Sequence, residues 1–118
     1  MQKPELEFFD TEMVPWKPVP GSQAGVFEKI LSRDEETGSY TRLLKFSPGL
    51  RLQDTLVHDF WEEVFILEGA LVDRAKGKTF TRGMYACRPP GMVHGPYDIP
   101  FGCVTLETRY YQHSIPSP

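Results

Sequence analysis

Two stretches decide how this chain reads: HDFWEEVFILEG, from His58 to Gly69, and GMYACRPPGMVH, from Gly83 to His94. The first sets a histidine and a carboxylate, His58 and Glu62, four residues apart at the mouth of an apolar run. If the segment stays extended, strand alternation puts His58, Phe60 and Glu62 on one side. The second stretch ends a strand in the stiff turn Pro89-Pro90-Gly91 and presents His94 just beyond it. Two imidazoles and one carboxylate on neighbouring strands make a three-point metal site. Singly, each piece has a plainer explanation. A lone histidine is more often a hydrogen-bonded structural residue, Glu62 beside Glu63 a solvated pair, and Pro-Pro-Gly simply a turn.

Working outward, the run Val64 to Leu67 is continuous and rich in β-formers, as expected of a strand covered on both faces, one cover being a second subunit. Arg74 to Lys78 is a turn, Thr79 to Thr81 resumes a strand, and Gly83 breaks it before Met84 to Arg88. Beyond His94, GPYDIPFG is a loop with two prolines. CVTLETRYY then alternates, with Val104, Leu106, Thr108 and Tyr110 on one face and Cys103, Thr105, Glu107 and Arg109 on the other. On the N-terminal side, SYTRLLKFS reads as a strand closed by Pro48-Gly49. It pairs back on GVFEKILSR through the DEETG connection, where Gly38 can take a positive φ. GVFEKILSR is mixed in periodicity, so a helix stays open as its alternative.

Residues 1–24 hold four prolines (Pro4, Pro15, Pro18 and Pro20). That density forbids a helix and removes strand donors, so an extended arm is expected, with one short strand near Leu6 to Phe9. The arm's apolar residues Phe8, Phe9, Val14 and Trp16 pack on the domain or on a partner subunit. The chain divides into this arm (1–24), a barrel (25–111) and a frayed tail (112–118) of one domain, because 118 residues leave no room for a second core. Many short strands, turn signals every eight to twelve residues and eleven prolines argue for an all-β sandwich or closed barrel.

Composition narrows the function. A formal net charge of −3 and the lack of any long Lys/Arg run make nucleic acid an unsuitable partner. No apolar stretch approaches the roughly 20 residues of a spanning helix, and the acidic N-terminus carries no secretory core. The expected compartment is the cytoplasm. Cys87 and Cys103 lack metal-ligand spacing and are expected to be reduced, buried thiols.

Taken together, the two stretches resemble the cupin superfamily of small jelly-roll barrels, the double-stranded β-helix. Its first motif, HxHx(3–4)Ex(6)G, is matched in its latter part by His58, Glu62 and Gly69. Its second, Gx(5)PxGxxH, is matched in full by Gly83, Pro89, Gly91 and His94. The wording EEVFILEGALVD, with the RPPG turn and the later GC, also resembles cupins related to anti-sigma sensor domains and to acetylacetone and dihydroxyacetophenone dioxygenases. One position departs: the first motif histidine falls on Leu56. Asp54 or Glu63 are the substitutes at hand.

The resemblance therefore implies three metal ligands, His58, Glu62 and His94, and one divalent transition metal: iron(II), zinc, nickel or manganese. This is the facial triad of non-haem iron oxygenases. It implies a metal-dependent enzyme, dioxygenase-like, acting on a small carbonyl or phenolic substrate. The alternatives are a non-catalytic cupin that senses or binds a small molecule or metal, and a metal-independent sugar isomerase or epimerase using His94 with Tyr97. No residue is singled out as a catalytic acid or base. Glu107 and Tyr97 are the candidates for orienting the imidazoles. A two-sided apolar strand and an apolar arm lead to an expected homodimer.

Overall fold

The structure, a computed structural model, describes residues 3–111. The expected tail 112–118 lies outside the described residues. Nine strands follow in order: β1 (Lys17–Pro18), β2 (Val26–Arg33), β3 (Tyr40–Phe46), β4 (Leu50–Arg51), β5 (Trp61–Asp73), β6 (Lys78–Thr81), β7 (Tyr85–Arg88), β8 (Tyr97–Ile99) and β9 (Cys103–Tyr110). They pair antiparallel throughout, in the spatial order β1-β2-β3-β9-β5-β8-β4, with β6 and β7 also on β5. The sheet is curled into an all-β barrel. Among the described residues no helix is long and apolar enough to cross a membrane.

GVFEKILSR forms strand β2, and its mixed periodicity has a local cause. The register against β3 slips between Ile30 and Ser32, so a bulge at Leu31 interrupts the alternation. The DEETG hairpin closes as read. Asp34 accepts from the Glu36 amide at 3.0 Å and the Thr37 hydroxyl at 2.8 Å, and Gly38 takes φ 79°. The arm differs from expectation. Leu6 to Phe9 form no strand. Instead Asp10 caps a single 3₁₀ turn at Thr11–Met13 by accepting from the Glu12 amide at 2.9 Å. The short strand comes later, as β1, where proline sits on the sheet edge that tolerates it. Trp16 packs on its own chain beneath the ammonium groups of Lys29 and Lys45, 4.7 and 4.6 Å from its ring, whereas Phe8 and Met13 stay exposed.

Strand β5 holds the barrel together. Its first half pairs with β7 and β9, its second with β6 and β8. Val64 and Ile66 point inward and are buried, while Phe65 between them is 40% exposed. The continuous apolar run is thus covered on one face within the chain; the second cover expected for it, a partner subunit, is not part of a single chain. The inner apolar cluster gathers Ile66, Leu71, Tyr97, Ile99 and Cys103, with Phe46, Leu50, Leu52 and Phe80 packed against it. Cys103 is buried in this cluster, which pushes its thiol pKa up to about 11. Cys87 departs from expectation: β7 turns it to the outer face and exposes it, and both thiols are free.

The bend that lets β5 serve both halves sits at Gly69. Register against β9 slips between Ile66 and Glu68, and Gly69 takes φ 78°. A Cβ there would stand 2.1 Å from the Gly102 carbonyl oxygen and 2.9 Å from the Cys103 Cα. Gly83, the other motif glycine, also has a positive φ, yet nothing stands within 4 Å of its missing Cβ. Gly69→Ala combines left-handed strain with a backbone collision and is expected to cost about 3 kcal/mol or more. Gly83→Ala meets the strain alone, about 1 kcal/mol. Urea denaturation of the two variants side by side checks this; equal losses would overturn the steric account of Gly69.

Candidate metal centre

His58 lies in the bend just before β5, Glu62 on the second residue of that strand, and His94 in the loop after β7. Their loops are zipped by backbone. The His94 amide donates to the Leu56 carbonyl at 2.9 Å, the Leu56 amide returns to His94 at 2.7 Å, and the Gly91 amide donates to the His58 carbonyl at 2.8 Å. The Pro89-Pro90-Gly91 turn thus holds one histidine's loop against the other's. One ligating atom from each of His58, Glu62 and His94 lies within 4.8 Å of the others. The two imidazole rings are 5.2 Å apart, and His58 Nε2 is 4.0 Å from Glu62 Oε2. The expected alternation holds: Phe60 stacks on His58 at 4.4 Å, and Glu62 is buried beyond it.

Neither substitute for the missing histidine joins this group. Glu63 faces outward and accepts from the Tyr85 hydroxyl. Asp54 is exposed on the lining of the cavity, outside the three-residue cluster. Leu56 itself lines the cavity beside His94.

The residues that orient the cluster were not all legible beforehand. Arg88, only a strand end in the sequence, donates from Nη1 to Glu62 Oε1 at 2.7 Å and from Nη2 to the Tyr97 hydroxyl at 2.9 Å. Tyr97 therefore reaches the cluster through Arg88, and its ring lies 6.2 Å from that of His94. Glu107 bonds Arg42 at 2.9 Å rather than an imidazole. Burial pushes the carboxyl of Glu107 and the phenol of Tyr97 upward, against the pull of Arg42 and Arg88 respectively. The signal missed was on β9. Its polar residues Thr105, Glu107 and Arg109 all line the cavity, inverting the usual apolar-inward rule.

The cavity measures about 430 Å³. Four buried side-chain polar atoms among the described residues have no hydrogen-bond partner: Nδ1 and Nε2 of His94, Oγ1 of Thr105 and Nε of Arg109. All four belong to residues lining this one cavity. A buried imidazole left with neither nitrogen bonded is costly, and a coordinated cation takes up one of the two. The donor set fits: two imidazoles and a carboxylate suit iron, zinc, nickel or manganese. Burial first, and Arg88 second, lower the His94 pKa to about 4, so its lone pair is free at neutral pH; burial likewise lowers that of His58.

A buried antiparallel barrel with this cluster at one end defines a cupin, and the comparisons agree. The chain belongs to the ChrR cupin-like domain family, which it matches over residues 5–111. An RmlC-like cupin from Shewanella frigidimarina superposes with TM-score 0.70 at 22% identity, over 92% of this chain and 93% of that one. An acetylacetone dioxygenase from Acinetobacter johnsonii gives TM-score 0.68 at 21% identity, over 92% and 74%. Rhodobacter sphaeroides anti-sigma ChrR, in complex with SigE, gives TM-score 0.62 at 24% identity, over 84% of this chain and 51% of the matched chain. No curated protein matches the sequence.

Two outcomes test this geometry. Removing Arg88 leaves the Glu62 carboxylate buried and unpaired, so Arg88→Met is expected to cost about 3 kcal/mol, and adding Glu62→Gln to recover most of it, in urea denaturation. Because the folded pKa of His94 lies below the 6.5 of the free side chain, the unfolded metal-free chain takes up the proton first. The penalty is absent above pH 6.5 and grows to about 3 kcal/mol as pH falls to 4. His94→Gln should flatten that part of the pH–stability curve.

Proposed function

We propose that the chain is a metal-binding cupin in which His58, Glu62 and His94 hold one divalent transition metal, and that it carries out dioxygenase-type chemistry on a small carbonyl or phenolic substrate. The observation that carries this reading is the convergence of three ligating atoms within 4.8 Å, with both nitrogens of buried His94 otherwise unpartnered. The similarity to an acetylacetone dioxygenase supports the reaction class.

A divalent metal at this centre supplies Lewis acidity toward the substrate's oxygens beside dioxygen. The chain's own groups set the conditions. His58 and His94 are neutral donors at pH 7, and the Arg88 hydrogen bond fixes the orientation of the Glu62 carboxylate. Leu56, where a further ligand would stand, offers no donor atom, so three protein ligands leave coordination positions for substrate and dioxygen. A cavity of about 430 Å³ suits a small molecule.

The family also favours a second reading, a cupin that senses a metal or small molecule without turnover, since one structural neighbour is an anti-sigma protein bound to its sigma factor. Elemental analysis of the purified protein and of His94→Ala, paired with oxygen uptake on β-diketones, dihydroxyphenyl ketones and the corresponding oxo and phenolic acids, separates the two. The expected result is about one metal per chain, lost in the variant, and oxygen uptake by the iron-loaded wild type. Metal without uptake on any such compound transfers the case to sensing. No metal after reconstitution sinks both metal readings and leaves the sugar isomerase or epimerase.

A further inference from the structure

Across strands β3, β9, β5 and β7, one inward-facing row runs Tyr40, Arg109, Glu62, Arg88, each residue directly opposite the next. The adjoining row sets Arg42 opposite Glu107. Three guanidinium groups thus line the cavity, and their charges are not treated alike. Arg88 is neutralised by Glu62 at 2.7 Å, and Arg42 by Glu107 at 2.9 Å and Glu28 at 2.7 Å. Arg109 has no carboxylate within ion-pair distance among the described residues, and its Nε is buried without a hydrogen-bond partner.

Aromatic faces hold Arg109 instead. Its guanidinium carbon lies 3.8 Å over the Phe60 ring and 4.6 Å over that of Tyr40. Phe60 in turn stacks on His58 at 4.4 Å with the rings only 14° from parallel. Contact with π faces stabilises the charge and fixes the group's position without consuming N–H donors. A planar fork of unused donors, next to the ring that supports a candidate metal ligand, is the geometry that bidentate carboxylate recognition requires. Thr105 Oγ1, also partnerless on the same wall, adds a second polar group facing the cavity.

We propose that this cavity takes a small carboxylate-bearing molecule, gripped through its carboxylate by Arg109, with its other oxygen function turned toward His58, Glu62 and His94. This narrows the substrate class of the centre to oxo or phenolic acids rather than neutral ketones. Its catalytic meaning rests on the function proposed above; the carboxylate grip itself needs no metal. Charge agrees. Glu62 is committed to Arg88, and Glu107 and Glu28 to Arg42, so Arg109 is the cavity's one guanidinium among the described residues that an incoming carboxylate meets without displacing a partner.

The test uses a matched pair of probes, acetoacetate and acetylacetone, which differ in a carboxylate replacing an acetyl group. Their affinities are measured by titration calorimetry on the full chain, both metal-loaded and chelator-treated. The wild type is expected to bind acetoacetate at least about 10-fold more tightly. R109Q is expected to lose about 10- to 100-fold of that affinity and to bind the two probes alike. Should R109Q not fold, R109K serves, since it keeps the charge but loses the fork, and a clear drop in acetoacetate affinity with little change for acetylacetone is expected. Equal affinities in the wild type, or a preference that survives these substitutions, overturn the proposal. Metal content read on the same samples keeps the two questions apart. A wild type that takes up no metal on reconstitution yet still prefers acetoacetate overturns the metal centre and upholds the grip.

Discussion

Strand β5 has to leave one half of the barrel and enter the other without breaking, and it can do so only because residue 69 has no side chain. The Gly102 carbonyl occupies the space a Cβ at Gly69 would need. That single close approach joins the end of β5's first half to the start of β9, and through β9 to β3 and β2. Upstream of the bend, β5 carries Glu62 toward β7 and β9; downstream, it carries Leu71 and Asp73 toward β6 and β8. The barrel interior is thereby divided. One end is filled by Ile66, Leu71, Ile99 and their neighbours, the other by charge.

The charged end is stable because its members are matched almost one for one. A carboxylate as deeply buried as Glu62 or Glu107 is unfavourable alone, and each is answered by a guanidinium at hydrogen-bonding distance. What remains unmatched is instructive. The partnerless polar atoms on His94, Thr105 and Arg109 all belong to residues lining one cavity, and buried polar groups in a folded protein are seldom left so. The interior here trades core packing for a site. The same trade explains why the inward face of β9 reads polar.

Part of this was open to inspection in the chain itself. Gly69, Gly83, Pro89, Gly91 and His94 stand at motif spacing because each answers a local demand, such as a bend, a positive φ, a rigid turn or a fixed imidazole. The period-two pattern of Cys103 to Tyr110 marked a strand, and DEETG marked a hairpin. GVFEKILSR stayed ambiguous between helix and strand, since a bulge at Leu31 breaks the alternation that a sequence pattern depends on. Leu6 to Phe9 were expected as a strand, but edge pairing with β2 falls to Lys17 and Pro18 instead.

The sequence by itself determined the class of fold and singled out His58, Glu62 and His94 as candidate ligands, because motif spacing is a local property of the chain; the bend at Gly69 depends on the distant Gly102 carbonyl. Only the tertiary structure decided how these three residues are supported. Arg88 lies 26 residues from Glu62, and Arg42 lies 65 from Glu107. Whether an arginine meets a carboxylate, an aromatic face or neither depends on strand register, which is a long-range property. Cys87 faces out and Arg109 faces in for the same reason: a side chain's face follows from which strand pairs with which, and that is settled only when the whole barrel closes.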